Sequence, residues 1–186
     1  MGFMNYYGSK ELAGAFRTVR NNTIKIAEDI PEEKYSFQPA PGTRTVAETL
    51  VHISHLSDFS YEFHGKKTDT LAGFDFLGFM APRLADEKAS HSKAEILKKL
   101  ADNRDQFASW LEGLPDDFLG QVITMPPGGQ PATRTRFDML MSVKEHEMHH
   151  RGQLMLVERM LGIVPHLTRQ FEERRAQMEQ AQKAGR

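Results

Sequence analysis

The chain has no cysteine. That excludes disulfides, thiolate metal ligands and a cysteine nucleophile, and it fits a cytoplasmic setting. Neither charge is in excess: 24 lysines and arginines stand against 25 acidic residues, for a net charge of −1. A nucleic-acid partner is not expected on that ground, because phosphate binding asks for a concentrated basic surface. Apolar runs all fall short of bilayer-spanning length, so no membrane partner is expected either. The opening MGFMNYYGSKEL has no charged region followed by an apolar core, which argues against a signal peptide. Internal repeats and low-complexity linkers are lacking. What is left, 186 residues with 39% hydrophobic and 26% charged content, suits one soluble domain that buries its core unaided.

Strand signal is scarce as well, and helical periodicity stands in its place. Leu12, Phe16, Val19, Thr23, Ile26 and Ile30 share a face, which predicts a helix over residues 9–30 ended by Pro31. Three prolines and Gly42 make 31–44 an irregular connection, with Tyr35 and Phe37 as anchors. Thr45 and Glu48 form a capping box, and a second helix is predicted from there to about Phe63, stopping near Gly65. Thr49, His52, Leu56, Phe59 and Phe63 line its inner face, with His55 to one side. Residues 65–90 hold Phe74, Phe76, Leu77, Phe79 and Met80, too apolar for a solvated linker. A short helical turn packed over the bundle end is expected there, with a lid or dimer contact as the other use; the length also permits a crossover.

Ser92 with Glu95 caps a third helix to about Leu111, with Ile96, Leu100 and Phe107 inward and Gly113 as its stop. QVITMPPGGQPAT predicts loop with at most a short strand or hairpin. The last long helix spans 135–161, and 163–186 reads as a final helix that frays. The fold class is therefore all-α. We expect a four-helix bundle with short extra helical elements and a C-terminal helical tail, its core at about residues 9–162.

The most informative stretch is EHEMHHRGQL, residues 145–154. Residues four apart on a helix stack on one face, so His146 and His150 project side by side. Met139, Val143, Val157 and Leu161 fall on their stripe, whereas Lys144, Arg151, Glu158 and Arg159 fall on the other side. Both histidines are thus expected to face inward, either as metal ligands or as core histidines bonded to buried acids or carbonyls. His52, converging from the second helix, would complete three neutral imidazoles, a set that binds zinc-like ions and leaves a position open for water or substrate. His149 and Gln153 are candidates to line such a site, or to make ordinary surface or interhelical hydrogen bonds. Arg151 should face away, Glu48 is a cap, and His55, His64, His91 and His166 have no spacing that singles them out.

PGTRTVAETLVHISHL entering the second helix and HEMHHRGQL in the last one resemble the DinB/YfiT-like metalloenzymes, over about residues 9–161. In that family one histidine follows the start of the second helix, and a pair four apart precedes Arg-Gly-Gln. The resemblance assigns His52, His146 and His150 as metal ligands. It implies zinc or nickel as cofactor and a homodimer, acting on a small molecule as a thiol-dependent S-transferase or isomerase, with a low-molecular-weight thiol, or as a hydrolase. A non-catalytic helical dimer or binding module of the same fold is the alternative. His146 to His150 also satisfies H-E-x-x-H, the zinc-peptidase signature in which Glu147 would be general base. That reading wants a sheet edge upstream and a third ligand downstream, for which only Glu172 or Glu173 is on offer, and it leaves His52 without a role.

Overall fold

The structure is a computed structural model that describes residues 7–184. The first six residues of the opening stretch, and the last two of the chain, lie outside the described residues. Helix α1 spans Ser9–Asp29, α2 Val46–Ser54, α3 Phe76–Lys88, α4 Lys93–Glu112, α5 Asp116–Leu119, α6 Arg136–Met160 and α7 His166–Ala184. Strands β1 (Val122–Thr124) and β2 (Thr133–Thr135) pair antiparallel as a small hairpin, with Ile123 opposite Arg134. Helices α1, α2, α4 and α6 form the bundle, so the all-α, four-helix expectation holds. Among the described residues no helix is long and apolar enough to cross a membrane.

Both predicted capping boxes are present: Thr45 Oγ1 accepts from the Glu48 amide, and Ser92 Oγ from the Glu95 amide. Two apolar clusters fill the bundle. One joins Ile26, Ile30, Leu50, Ile53, Ile96, Leu100, Leu154 and Val157; the other joins Leu12, Phe16, Phe107, Leu111, Leu140 and Val143. Between them, on the same four helices, lies a polar layer that periodicity did not announce. Arg20, fully buried, donates to Glu147 Oε1 at 2.8 Å, to Asn103 Oδ1 at 2.7 Å, and to the carbonyls of Leu100 and Ile53. Thr23 Oγ1 donates to the same Glu147 oxygen at 2.7 Å.

Three expectations need correction. The second helix does not run unbroken to Phe63. It ends at Ser54, makes a turn, and resumes as one π-helical turn over Ser60–His64. The Arg20 guanidinium takes the Ile53 carbonyl at 3.1 Å, and Asn103 Nδ2 donates to Ser57 Oγ at 2.5 Å. Those bonds occupy groups at the break and offset lost helical ones. Gly65 closes the π turn, where a Cβ would run into the Tyr61 carbonyl oxygen.

The apolar connection is more than a short turn: α3 has 13 residues, capped by Asp75 Oδ1 accepting from the Gly78 amide at 2.9 Å. Finally, α6 is rotated from its expected setting. Its buried residues Val143, Glu147, His150, Leu154 and Val157 follow a seven-residue repeat centred on the line through Val143 and Leu154, so Glu147 and Glu158 fall inside the buried face and His146 lies at its edge. The tail helix is anchored in its first turn, by His166 Nε2 to Asn22 Oδ1 and Arg169 to Asp29, and is largely exposed beyond.

Candidate metal centre

Starting α2 at the Thr45 cap places His52 about two turns in, facing α6, where it meets the histidine pair. Ring centroids lie 4.8 Å apart for His52 and His150, 5.3 Å for His52 and His146, and 4.8 Å for His146 and His150. One ligand nitrogen of each lies within 4.8 Å of the others, near enough to share an ion after small side-chain rotations. The three residues singled out in the sequence therefore do come together. They are not equally buried. His52 and His150 are enclosed, whereas His146, expected to face inward, is exposed at the rim because the buried stripe of α6 runs through Val143, His150 and Leu154 and leaves it at one edge.

The far nitrogens of the two enclosed rings are engaged. His52 Nδ1–H donates to Glu87 Oε1 at 2.6 Å, and Arg44 Nε donates to the other Glu87 oxygen at 2.8 Å. His150 Nδ1–H donates to Gln153 Oε1 at 2.9 Å, and the Gln153 amide donates to His149 Nε2 at 3.1 Å. An acceptor behind each ring sets the Nδ1–H tautomer and turns the Nε2 lone pair toward the other histidines, the arrangement that metal-ligating histidines use. His150 Nε2 in turn lies 3.0 Å from His146 Nε2. Burial pushes all three imidazoles below their ordinary pKa, His150 to about 4, so the rings are neutral at pH 7 and their lone pairs available. Three neutral imidazoles with no oxygen or sulfur donor suit a borderline divalent ion better than calcium or magnesium.

Two cavities reach the trio. One, of about 540 Å³, ends at His146 and is walled by Leu56, Phe59, Leu71, Phe74, Met139 and Val143. The other, of about 710 Å³, reaches His150 past Arg44, Glu87, Lys88, His149 and Gln153. Reasoning from the sequence missed Glu87 and Arg44. Glu87 sits in a charged run, Asp86-Glu87-Lys88, that reads as solvated, yet its side chain is buried at the end of α3. The one available hint was general, that an inward imidazole needs an acceptor behind it. The remaining histidines stay outside the site. His55 lies between Asp58 and Asp86, His91 beside Asp86, His64 beneath Arg136, and His166 against Asn22. Glu147 is turned away from the histidines into its ion pair with Arg20, both side chains fully buried, so it is no general base for them. The peptidase reading finds no support.

A family model described as the DinB superfamily matches residues 15–154. The chain belongs to the DinB superfamily. Among curated proteins it is 25% identical over 155 residues to the uncharacterized protein YjoA of Bacillus subtilis, covering 83% of this chain and 91% of that protein. Among solved structures it is similar to YfiT from Bacillus subtilis, described as a probable metal-dependent hydrolase with an unusual four-helix bundle topology. That likeness has a TM-score of 0.67 at 16% identity and covers 88% of this chain and 94% of the other. A third likeness, TM-score 0.57 at 19% identity over 79% of this DinB chain and 94% of the other, is to the colibactin self-resistance protein ClbS in complex with double-stranded DNA. That complex overturns the exclusion of nucleic acid. The inference from net charge fails because charge is read from the whole chain, whereas a DNA contact depends on one local surface.

Proposed function

We propose that His52, His146 and His150 of this DinB-superfamily protein hold one divalent metal ion, zinc or nickel, and that the protein is a metal-dependent enzyme of the hydrolase or thiol-dependent S-transferase type. The observation that carries this reading is the engaged far nitrogen on both enclosed rings, Glu87 behind His52 and Gln153 behind His150. A pair of histidines serving only as core would spend Nδ1–H on such partners too, and the His150–His146 contact could be a plain hydrogen bond, but neither accounts for His52 presenting its own nitrogen to the same point. The description of YfiT as a probable metal-dependent hydrolase supports the same reading.

An ion of this kind, when bound, supplies Lewis acidity, lowering the pKa of a water or thiol and polarising a substrate. The chain's own residues do the rest. Glu87 keeps His52 in the useful tautomer and offsets charge at the centre, while Arg44 holds Glu87 in place. Gln153 ties His149 to His150 along the wall of the polar cavity, where a thiol or water would enter. The thiol reading sets the protein in the cytoplasm, where such thiols stay reduced. The access that both cavities give to the histidines favours an enzyme over a non-catalytic module, whose site would be closed.

Metal analysis tests this. Protein incubated with zinc or nickel and desalted should retain about one ion per chain. His52→Ala and His150→Ala should lose it while keeping the helical circular-dichroism spectrum. Metal content unchanged in both variants would end the assignment.

A further inference from the structure

The two cavities that meet at the histidines differ in chemistry. The wall of the larger one carries Arg44, Glu87, Lys88, His149 and Gln153. The smaller is walled by aliphatic and aromatic side chains, with Phe59 against Phe74 at 5.4 Å and Phe79 packed against both. Most of its polar groups are already engaged. Arg134 spends its Nε on Asp138 Oδ2 and its Nη2 on the Asp138 carbonyl, while Ser142 Oγ donates to the Met139 carbonyl. A strongly polar ligand would lose its hydration there with few replacement bonds, Arg134 Nη1 being, among the described residues, the one cationic donor left on the wall. The volume, about 540 Å³, compares with the roughly 150 Å³ of an apolar cavity that admits one benzene. The rim histidine, His146, closes its inner end.

We propose that this apolar cavity is the specificity pocket of the centre, taking an uncharged aromatic or branched-alkyl group of the substrate and delivering the adjoining atoms to His146. The proposal rests on the metal-centre reading for the word substrate, but the pocket's preference for such a group stands on its wall alone.

The probes are imidazole and 1-benzylimidazole, titrated into nickel-loaded protein by visible absorption and into metal-free protein by calorimetry. In the loaded protein 1-benzylimidazole should bind at least about tenfold tighter than imidazole, as burying one phenyl ring implies. Ser142→Trp or Met125→Trp, each filling the pocket from a different wall, should erase that gain and leave imidazole affinity unchanged. If nickel binds and imidazole shifts the spectrum but the benzyl group adds nothing, the pocket proposal is overturned and the metal centre stands. If no nickel is retained, the metal reading falls, while 1-benzylimidazole binding to metal-free protein that either tryptophan abolishes still supports the pocket. Probe binding that weakens as protein concentration rises would assign the cavity to a second copy of the chain and overturn the proposal.

Discussion

Arg20 with Glu147, and His52 with His146 and His150, are polar clusters at the same level of the bundle, sharing helix α6, and they are finished in opposite ways. In the first, each guanidinium nitrogen is aimed at an acceptor inside the protein: a carboxylate, an amide oxygen and two backbone carbonyls meet it, and no part of either charged side chain reaches water. In the second, outward bonds to Glu87 and Gln153 satisfy the far side of two rings, and the near side is left to lone pairs beside two cavities. A closed cluster fastens helices together, and the one oxygen left without a partner here, Glu147 Oε2, is sealed off with the rest of the side chain. An open one keeps bonding capacity for something that is not protein. Residues 146 and 147 are neighbours in sequence, and about 100° of helical rotation sends one to the open cluster and the other to the closed one.

The largest effect should come from opening the closed cluster. Glu147→Ala leaves the Arg20 charge buried and unpaired, and we expect it to cost roughly 3–5 kcal/mol in urea unfolding. Arg20→Met combined with Glu147→Leu removes both charges and should recover most of that loss. His150→Ala, at the open cluster, should cost much less and act on metal content instead. If His150→Ala destabilises the metal-free protein as much as Glu147→Ala does, the distinction between fastener and site is lost.

A second buried cluster, in which His64 Nε2 is left without a partner, sharpens the point through pH. Arg136 is almost wholly buried, donates to the Thr68 carbonyl and Gln121 Oε1, and gives Nη1–H to His64 Nδ1 at 3.0 Å. Burial, and then the Arg136 charge, push His64 down to about 4. The folded pKa lies below the unfolded one, so as pH falls the unfolded chain takes up the proton first. Stability is therefore fully present above about pH 6.5 and is lost as pH falls toward 4, by an amount on the order of 3 kcal/mol. His64→Asn keeps an acceptor for Arg136 and cannot titrate; its unfolding free energy should fall less steeply between pH 7 and pH 4 than that of the parent. Parallel pH profiles for the two proteins would remove His64 from the account.

These clusters also mark where the sequence could be read and where it could not. Apolar spacing and capping boxes announce α1, α4 and the start of α2, because burial of Leu12, Ile26 or Leu100 is a local property of a helix face. Histidine spacing announces the pair on α6 for the same reason. Arg20 and Glu147 carry no such mark: a charge on a helix reads as solvated until a partner 127 residues away is known to face it. The same holds for Glu87 and Arg136. Because the pattern counted Glu158 as outward and gave Glu147 no place, it turned the stripe of α6 toward His146 and placed that ring inside. The break in α2 was hidden likewise, since it depends on Arg20 reaching the Ile53 carbonyl from another helix.

The smallest effect tests whether the open cluster is supported from behind as its geometry implies. Glu87→Gln keeps the size of the side chain and an oxygen that can accept from His52 Nδ1–H, but it removes the charge that Arg44 also holds. A carboxylate behind a ligating imidazole raises its basicity, and losing such a partner typically weakens metal binding about 10- to 100-fold. Competition against a chelator should show a loss in that range, with unfolding of the metal-free protein little changed because the glutamine still fills the space. Arg44→Met is the companion variant. It leaves Glu87 charged but freer to move, and should give a smaller loss than Glu87→Gln. If Glu87→Gln binds metal as tightly as the parent, the contact at 2.6 Å is packing alone, and His52 contributes to the centre without help from α3.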